Sequence, residues 1–495
     1  MTRGVTALDL CLVSLLTLAS RGAYFVAGVR FDTSPFPGYM QFIDDELLRE
    51  RLIESIWYSH AHPPGLSLLV GLAYRSFGDQ APLFLSMLYH GLGFAVALGV
   101  FALTLRLTGT RVAAYICSAL LVMSPGFVLY ENWLMYTFLE VALLTASAVA
   151  LYKTLDRGSM AWAAALFTAL AVLVLTRGFF HLGWFALVVG YVAWAAPNRR
   201  QVLAAAVLPL AAATLWYAKN YFYFGTFAGS TMFGLGLSNI TTLTVPRADL
   251  QPLIAQGIVS PFALVSRYER VDTLFATKDD SPTGVPVLDQ PYKRTGEPNY
   301  NYRPMIAINE QYARDGLSVI WHYPKNYAVG VYIANRLYFS PPSVNFYFSA
   351  ANRAAAKPFE RVFNRLLFGV GNPGLIEQPH FGFGERYPLQ VNTSAWLIAW
   401  SALVLVFGAL RVSPAFLGRT VADRTALITL GYLLFVMLYV YALGTLVELG
   451  ENHRYRFVTE PLFAVATAML ATDAIRRLKA RLSRRQSLAV ADSSP

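Results

Sequence analysis

The chain has 495 residues, 56% of them hydrophobic and only 14% charged, with a formal net charge of +11. Soluble domains carry about 25% charged residues, so this composition excludes an ordinary soluble globular fold. The basic residues form short clusters beside apolar runs rather than one stripe, which speaks for membrane topology and anionic lipid and against nucleic acid.

Apolar runs of about 18 residues or more mark transmembrane helices. In chain order ten are predicted, near 5–27, 82–105, 112–130, 134–152, 160–177, 180–196, 202–222, 393–411, 425–447 and 456–473. The expected fold class is an all-α polytopic membrane protein. No small-residue cleavage pattern follows the first run, Val5 to Val29, so it reads as a retained span. Cys11 and Cys117 lie within apolar runs and read as inert packing residues.

Charge placement orients these spans. Arg106 and Arg111, Lys153 and Arg157, Arg199 and Arg200, then Arg411, Arg419 and Arg424 lie between alternate spans, and the tail carries RRLKARLSRR. With the amino terminus inside, all of them become cytoplasmic, and so does the carboxyl terminus. The run SVIWHYPKNYAVGVYIANRLYFSPP is left uncounted, because counting it would move Arg411, Arg419, Arg424 and the tail outside. Its His322, Pro324, Lys325 and aromatic residues suit an interfacial helix.

Three segments then face the outer side together: 28–81, 223–392 and the ENHRYR turn around 451–456. The expected organisation is a transmembrane module over 1–222 that includes the first loop, a cap over 223–392, further helices over 393–474 and a basic tail over 475–495. Roughly 170 residues is too long for a mere connector, so the cap is expected to be ordered, with short amphipathic helices.

The first outer loop contains FIDDELLRERLIESIWYSHAHPPGL. Leu47, Leu48, Leu52, Ile53, Ile56 and Trp57 recur at helical spacing opposite Glu46, Arg49, Glu50 and Glu54, which predicts an amphipathic helix on the membrane surface. Asp44 and Asp45 begin that helix. Two readings stand for Asp44: an N-cap worth about 1 kcal/mol, or an acid placed at the membrane–water boundary to take a proton from an acceptor hydroxyl. His60 and His62 are two apart and share no helical face, so they form no metal motif. The Pro-Pro pair ends one helix and starts the next at Gly65 to Phe77. His60 reads as structural, while His62 stands between a structural and a pocket-lining role.

Read in order, the acidic loop ending in HPPG, then SPGFVLYENWLMYT, LTRGFF and GENHRYRFVTEPL, resembles the GT-C superfamily of polyprenyl-phosphate-sugar-dependent glycosyltransferases. The chain looks similar to the bacterial relatives of the dolichyl-phosphate-mannose protein mannosyltransferases. The resemblance covers the first seven spans, the last loop and the last span, and adds little for the cap. It implies an essential acid in the first outer loop, matched by Asp44 with Asp45 beside it. It also implies a second acid at the outer end of the third span, matched by Glu131, whose other reading is a boundary or capping residue. Three consecutive acids, Asp44, Asp45 and Glu46, depart from the family pattern and leave the choice of base open.

A polyprenyl-phosphate sugar has an anionic leaving group, so cations or hydrogen-bond donors must lie beside the phosphate. Arg177, His181, His453, Arg454 and Arg456 are the candidates on the outer side. Arg454 and Arg456 alternate about Tyr455, so at most one is expected to enter the site. Arg177 also has a reading as a lipid-headgroup anchor. Glu46, His62 and His181 are expected at the substrate pocket. A divalent cation, Mg or Mn, would have Asp44, Asp45 or Glu131 as its ligands, but no strong metal signature is present and none is predicted.

The implied reaction is an inverting sugar transfer from a polyprenyl-phosphate donor to an acceptor hydroxyl on an envelope glycan, a lipid or a protein. Membrane lipids are the other expected partners, and a bacterial inner membrane is the expected location. A transporter or flippase of lipid-linked saccharides is the rival. Against it, the sequence shows no paired halves with matching broken helices. A relative that binds lipid-linked glycans without catalysis is a third reading.

Overall fold

A computed structural model describes residues 4–265, 281–370, 374–376, 389–417 and 423–492. Arg419 and the cap stretches 266–280, 371–373 and 377–388 lie outside the described residues. Helix dominates, and strand among the described residues amounts to one antiparallel ladder, Gly374–Ile376 with Leu389–Val391.

Among the described residues six helices are long and apolar enough to cross a membrane: Ala7–Ala27, Gly65–Thr108, Tyr136–Arg157, Arg199–Phe224, Ala395–Phe416 and Arg424–Leu446. Counting each of two bent pairs as one span brings the number to eight. Arg111–Met123 meets Pro125–Glu131 at 60°, and Asn452–Val458 meets Glu460–Ser483 at 57°. Pro125 causes the first bend, since it has no amide to continue the ladder, and Ser124 restarts the helix by accepting from the Phe127 amide at 3.4 Å. Met160–Val174 and Leu182–Ala195 are apolar but have only 15 and 14 residues. Each is about 20 Å long against a hydrocarbon core of roughly 30 Å. Between them the segment LTRGFFH turns without helix.

The second apolar unit takes in the helix expected over Gly65 to Phe77. Its helix begins at Gly65, directly after Pro63 and Pro64, and passes through a short turn at Gly78–Gln80 into Ala81–Thr108. The amphipathic helix of the first loop is also two helices, Asp45–Glu50 and Leu52–Tyr58, broken at Arg51 (φ −126°, ψ 40°). The break divides the apolar stripe. Leu47, Leu48, Leu52 and Ile56 are buried, with Leu48 and Leu52 pressed on Gly71, while Ile53 and Trp57 stay exposed. The uncounted run forms the end of Met305–His322 and all of Pro324–Tyr338, and neither helix is a candidate span.

Contacts gather the basic loops at one end of the bundle. Arg111 pairs with Asp9 at 3.1 Å and Arg411 with Asp473 at 2.8 Å. Arg424 donates to Ala195 O, and Arg476 to Thr108 O. The main buried cluster draws on both transmembrane parts and takes in Tyr338, Phe348 and Ala356 of the cap.

His60 ties the first loop to the cap. Its ring is fully buried, 2.9 Å from Thr231 Oγ1 and 2.9 Å from Asn301 O, and its amide donates to Asn301 Oδ1. Burial pushes its pKa down to about 3, since a charge there would lose its water. A group lowered in this way is neutral when folded and takes up a proton on unfolding. The stability it confers is therefore present above about 6.5 and is lost as the pH falls toward 3, by at most roughly 1.4 kcal/mol per pH unit. Hydrogen exchange over residues 59–64 and 299–303 should accelerate at pH 5 relative to pH 7 beyond the intrinsic change. In His60→Asn that extra acceleration should disappear.

Candidate functional site

The ENHRYR turn is built by Asn452. Its fully buried side chain donates to Gly444 O at 2.6 Å and Glu448 O at 2.9 Å, and accepts from the Gly450 amide at 3.1 Å. Gly450 has φ of 140°, a conformation that side-chain-bearing residues rarely adopt. The clamp therefore fixes where Glu448, Glu451 and Arg454 emerge.

These residues line a cavity of about 560 Å3 at the end of the bundle away from the basic loops. The first loop contributes Met40, Gln41, His62 and Pro63 to its wall, and the 175–181 turn contributes Arg177 and His181. The cap contributes Ser230, Phe233, Gly236 and Tyr347. Trp184, Leu187 and Leu443 give the cavity an apolar side among the membrane helices, and Leu187 is exposed there.

Two guanidinium groups flank one aromatic ring. Arg177 lies 4.2 Å from the Tyr136 ring centroid and 5.2 Å from that of Tyr455, and Arg454 lies 5.5 Å from Tyr136. Glu140, one helical turn after Tyr136, stands 3.6 Å from Arg177. Arg454 pairs with Glu451 at 3.0 Å and reaches the Tyr136 hydroxyl at 3.4 Å. Its Nε is buried and has no hydrogen-bond partner among the described residues. On the cap side, Glu448 accepts from Asn239 Nδ2 at 2.7 Å.

Of the residues singled out from the sequence, the cavity brings together His62, Arg177, His181 and Arg454. Arg456 points elsewhere, pairing with Glu460 at 2.8 Å and donating to Tyr338 O at 3.0 Å. His453 is buried and is not part of the cavity wall, and neither ring nitrogen has a hydrogen-bond partner among the described residues. His181 caps the Leu182–Ala195 helix, its Nδ1 accepting from the Gly183 amide at 3.1 Å, so this nitrogen carries no proton.

The acids of the first loop are not among the residues of the cavity wall. Asp44 caps its helix by accepting from the Glu46 amide at 3.0 Å, and its other oxygen accepts from the Arg294 amide. Asp45 pairs with Arg294 at 3.0 Å, and Glu46 is exposed. Lys293 holds the same loop from below, donating to Tyr39 O at 2.6 Å and Pro37 O at 3.2 Å. Burial lowers its pKa to about 8 against the pull of Asp44 and Glu297. Glu131 is fully buried 2.5 Å from Arg21.

Asp44, Asp45 and Glu131 thus have separate partners and do not converge as ligands for Mg or Mn. Among the described residues no group of three or more His, Cys, Asp or Glu side chains could hold a metal ion.

No family model matches the sequence, and no curated protein matches it. Solved structures do resemble it. The oligosaccharyltransferase of Archaeoglobus fulgidus, solved with a tethered acceptor peptide containing the NVT sequon, aligns with 94% of this chain and 50% of its own, at 13% identity and a TM-score of 0.42. ArnT from Cupriavidus metallidurans bound to undecaprenyl phosphate aligns with 94% of this chain and 78% of its own, at 13% identity and a TM-score of 0.34. The chain therefore spans half the length of the oligosaccharyltransferase it matches. Likeness at these scores assigns neither a substrate nor a residue role.

Sequence reasoning missed Tyr136, Glu140, Glu448 and Glu451. One signal was present for Glu140: an acid inside the apolar run YTFLEVALL is costly in a membrane unless a cation answers it, and Arg177 does. Glu448 and Glu451 carried no such signal, because acids at the end of a span are ordinary.

Proposed function

We propose that the chain is a membrane glycosyltransferase of the GT-C type, taking a sugar from a polyprenyl-phosphate donor to an acceptor hydroxyl on the extracytoplasmic side. The amphiphilic cavity carries this reading. It joins two guanidinium groups to an apolar side at Trp184, Leu187 and Leu443, as an anionic headgroup on an isoprenoid chain requires. Arg454 and Arg177 hold the phosphate and stabilise the charge that develops as it leaves. The acceptor oxygen bonds to the anomeric carbon from the opposite face, and the carbon–oxygen bond to phosphate breaks with its electron pair going to the phosphate. The sugar is transferred with inversion.

Asp44 is assigned the acceptor proton, with Asp45 beside it. Both of its oxygens already accept backbone amides, so this role requires residues 293–294 to move off the loop when acceptor binds. Asp44→Asn keeps a good N-cap and is expected to fold normally. Its transfer from radiolabelled undecaprenyl-phosphate sugars in proteoliposomes should fall by about 10²-fold or more, the scale of a lost general base. Near-normal turnover by this variant would remove Asp44 from the chemistry.

A further inference from the structure

Two tyrosines seat the cap helix Pro324–Tyr338 against the outer end of the span Arg424–Leu446. Tyr327 donates to Leu446 O at 2.8 Å, and Tyr441 donates to Asn335 Oδ1 at 2.5 Å. Lys325, Val329, Tyr332 and Arg336 recur at i, i+4, i+7 and i+11, so they share one face of this helix. The first three are exposed and Arg336 is half-buried. The last turns of the helix form one wall of a cavity of about 350 Å3. Its other walls include Ile398, Ala402 and Leu405 of the span Ala395–Phe416 and Phe463 of the last helix. It shares no lining residue with the cavity that holds Arg454. Ile398 and Ala402 are exposed, which opens it to the bilayer. Close-packed interiors leave few voids larger than a water molecule, and an unfilled one forfeits the dispersion contacts of its lining. Lipid chains beside the spans therefore fill this space.

The charges in its wall select the headgroup. Arg456 and Glu460 answer each other at 2.8 Å, and Arg456 also donates to Tyr338 O at 3.0 Å. Arg336 has only neutral partners: its Nε reaches Thr393 Oγ1 at 3.4 Å, and its guanidinium carbon lies 5.9 Å from the Tyr332 ring centroid. No carboxylate pairs with it among the described residues. The cavity thus offers an uncompensated cation to a phosphate, while its one acid, Glu460, is already taken and receives no ammonium group. An anionic phosphoglycerolipid meets both conditions, and a zwitterionic one does not. We infer that this cavity binds a lipid of the phosphatidylglycerol class, with its phosphate on Arg336 and an acyl chain against Ile398, Leu405 and Phe463. The bound lipid bridges the cap helix and the spans. Its binding is independent of the transferase reading.

The full-length protein, stripped of lipid in detergent, is titrated with phosphatidylglycerol, phosphatidylethanolamine and undecaprenyl phosphate, with native mass spectrometry and thermal melting as readouts. Wild type should bind phosphatidylglycerol about 10-fold more tightly than phosphatidylethanolamine, and its melting temperature should rise with the first lipid. Arg336→Gln should melt like wild type without lipid, lose about 10-fold in phosphatidylglycerol affinity and lose most of the thermal shift. Ala402→Phe projects a ring into the cavity from an exposed position and should weaken binding without any change of charge. Lys325→Gln, on the same helix face but outside the cavity, should stay within about twofold of wild type. Equal affinity for the two phosphoglycerolipids would overturn the site, and so would undiminished phosphatidylglycerol binding in either Arg336→Gln or Ala402→Phe, whichever folds. A loss in Lys325→Gln as large as that in Arg336→Gln would overturn it too, leaving diffuse surface charge as the attraction. Tighter binding of undecaprenyl phosphate than of phosphatidylglycerol would overturn the occupant in favour of a polyisoprenoid phosphate.

Discussion

Replacing Arg454 with methionine is expected to lower sugar transfer by about 10²- to 10³-fold while the protein still folds. Removing one preorganised donor from a site where charge develops costs on this scale, because the remaining groups are fixed and do not take over its place. Arg454 is the stronger choice of the two cations. Both face a carboxylate, Arg177 meeting Glu140 at 3.6 Å and Arg454 meeting Glu451 at 3.0 Å, but Arg177 also lies closer against the Tyr136 ring. Arg454 lines the cavity, and its buried Nε has no hydrogen-bond partner among the described residues. The methionine variant leaves Glu451 without its cation, but Glu451 is partly exposed and also lies 3.5 Å from Asn345 Nδ2, so the fold survives. Transfer by Arg454→Met/Glu451→Gln should be as low as that of the single variant. Recovery in the double variant would mean that Arg454 serves only to neutralise Glu451.

The second large effect concerns stability. Glu131→Gln is expected to destabilise the protein by about 3–5 kcal/mol, seen as a lowered melting temperature and reduced yield, because Arg21 would be left as a buried unpaired charge. The pair lies at 2.5 Å, with Arg21 also donating to Val122 O at 2.7 Å. The carboxylate is seated against Gly93, where an added Cβ would stand only 1.9 Å from Glu131 Oε1. Replacing both members, as Arg21→Met/Glu131→Met, should restore most of the stability. If the restored double variant transfers sugar, Glu131 serves as a structural anchor between the first span and the bent third pair. If it is stable but inactive, Glu131 regains the catalytic role suggested by its resemblance to the family pattern.

Hydropathy made the helical membrane fold legible, and every predicted span falls on an apolar helix or a bent pair of helices in the structure. What it left out are the breaks. Pro125 bends a run whose hydropathy is continuous, and the helices around Arg177 are too short for a full crossing. The Pro63–Pro64 helix start at Gly65 was legible because proline permits little else. Alternation about Tyr455 likewise told that Arg454 and Arg456 diverge, although not which one enters the cavity. Asn452 was not legible as the clamp of its turn, since asparagine in a loop has many uses and only the fold brings Gly444, Glu448 and Gly450 to it. The contact of Asp44 with Arg294 joins positions 250 residues apart, beyond the reach of any local pattern.

Transfer of radiolabel from undecaprenyl-phosphate sugars to an envelope fraction, by purified wild type and Arg454→Met in proteoliposomes, is the most direct measurement. Label released from the lipid by wild type and lost in the variant is the expected result. Wild type that moves the intact lipid-linked sugar across the bilayer, with no carbon–oxygen bond broken, would contradict it and make the protein a transporter.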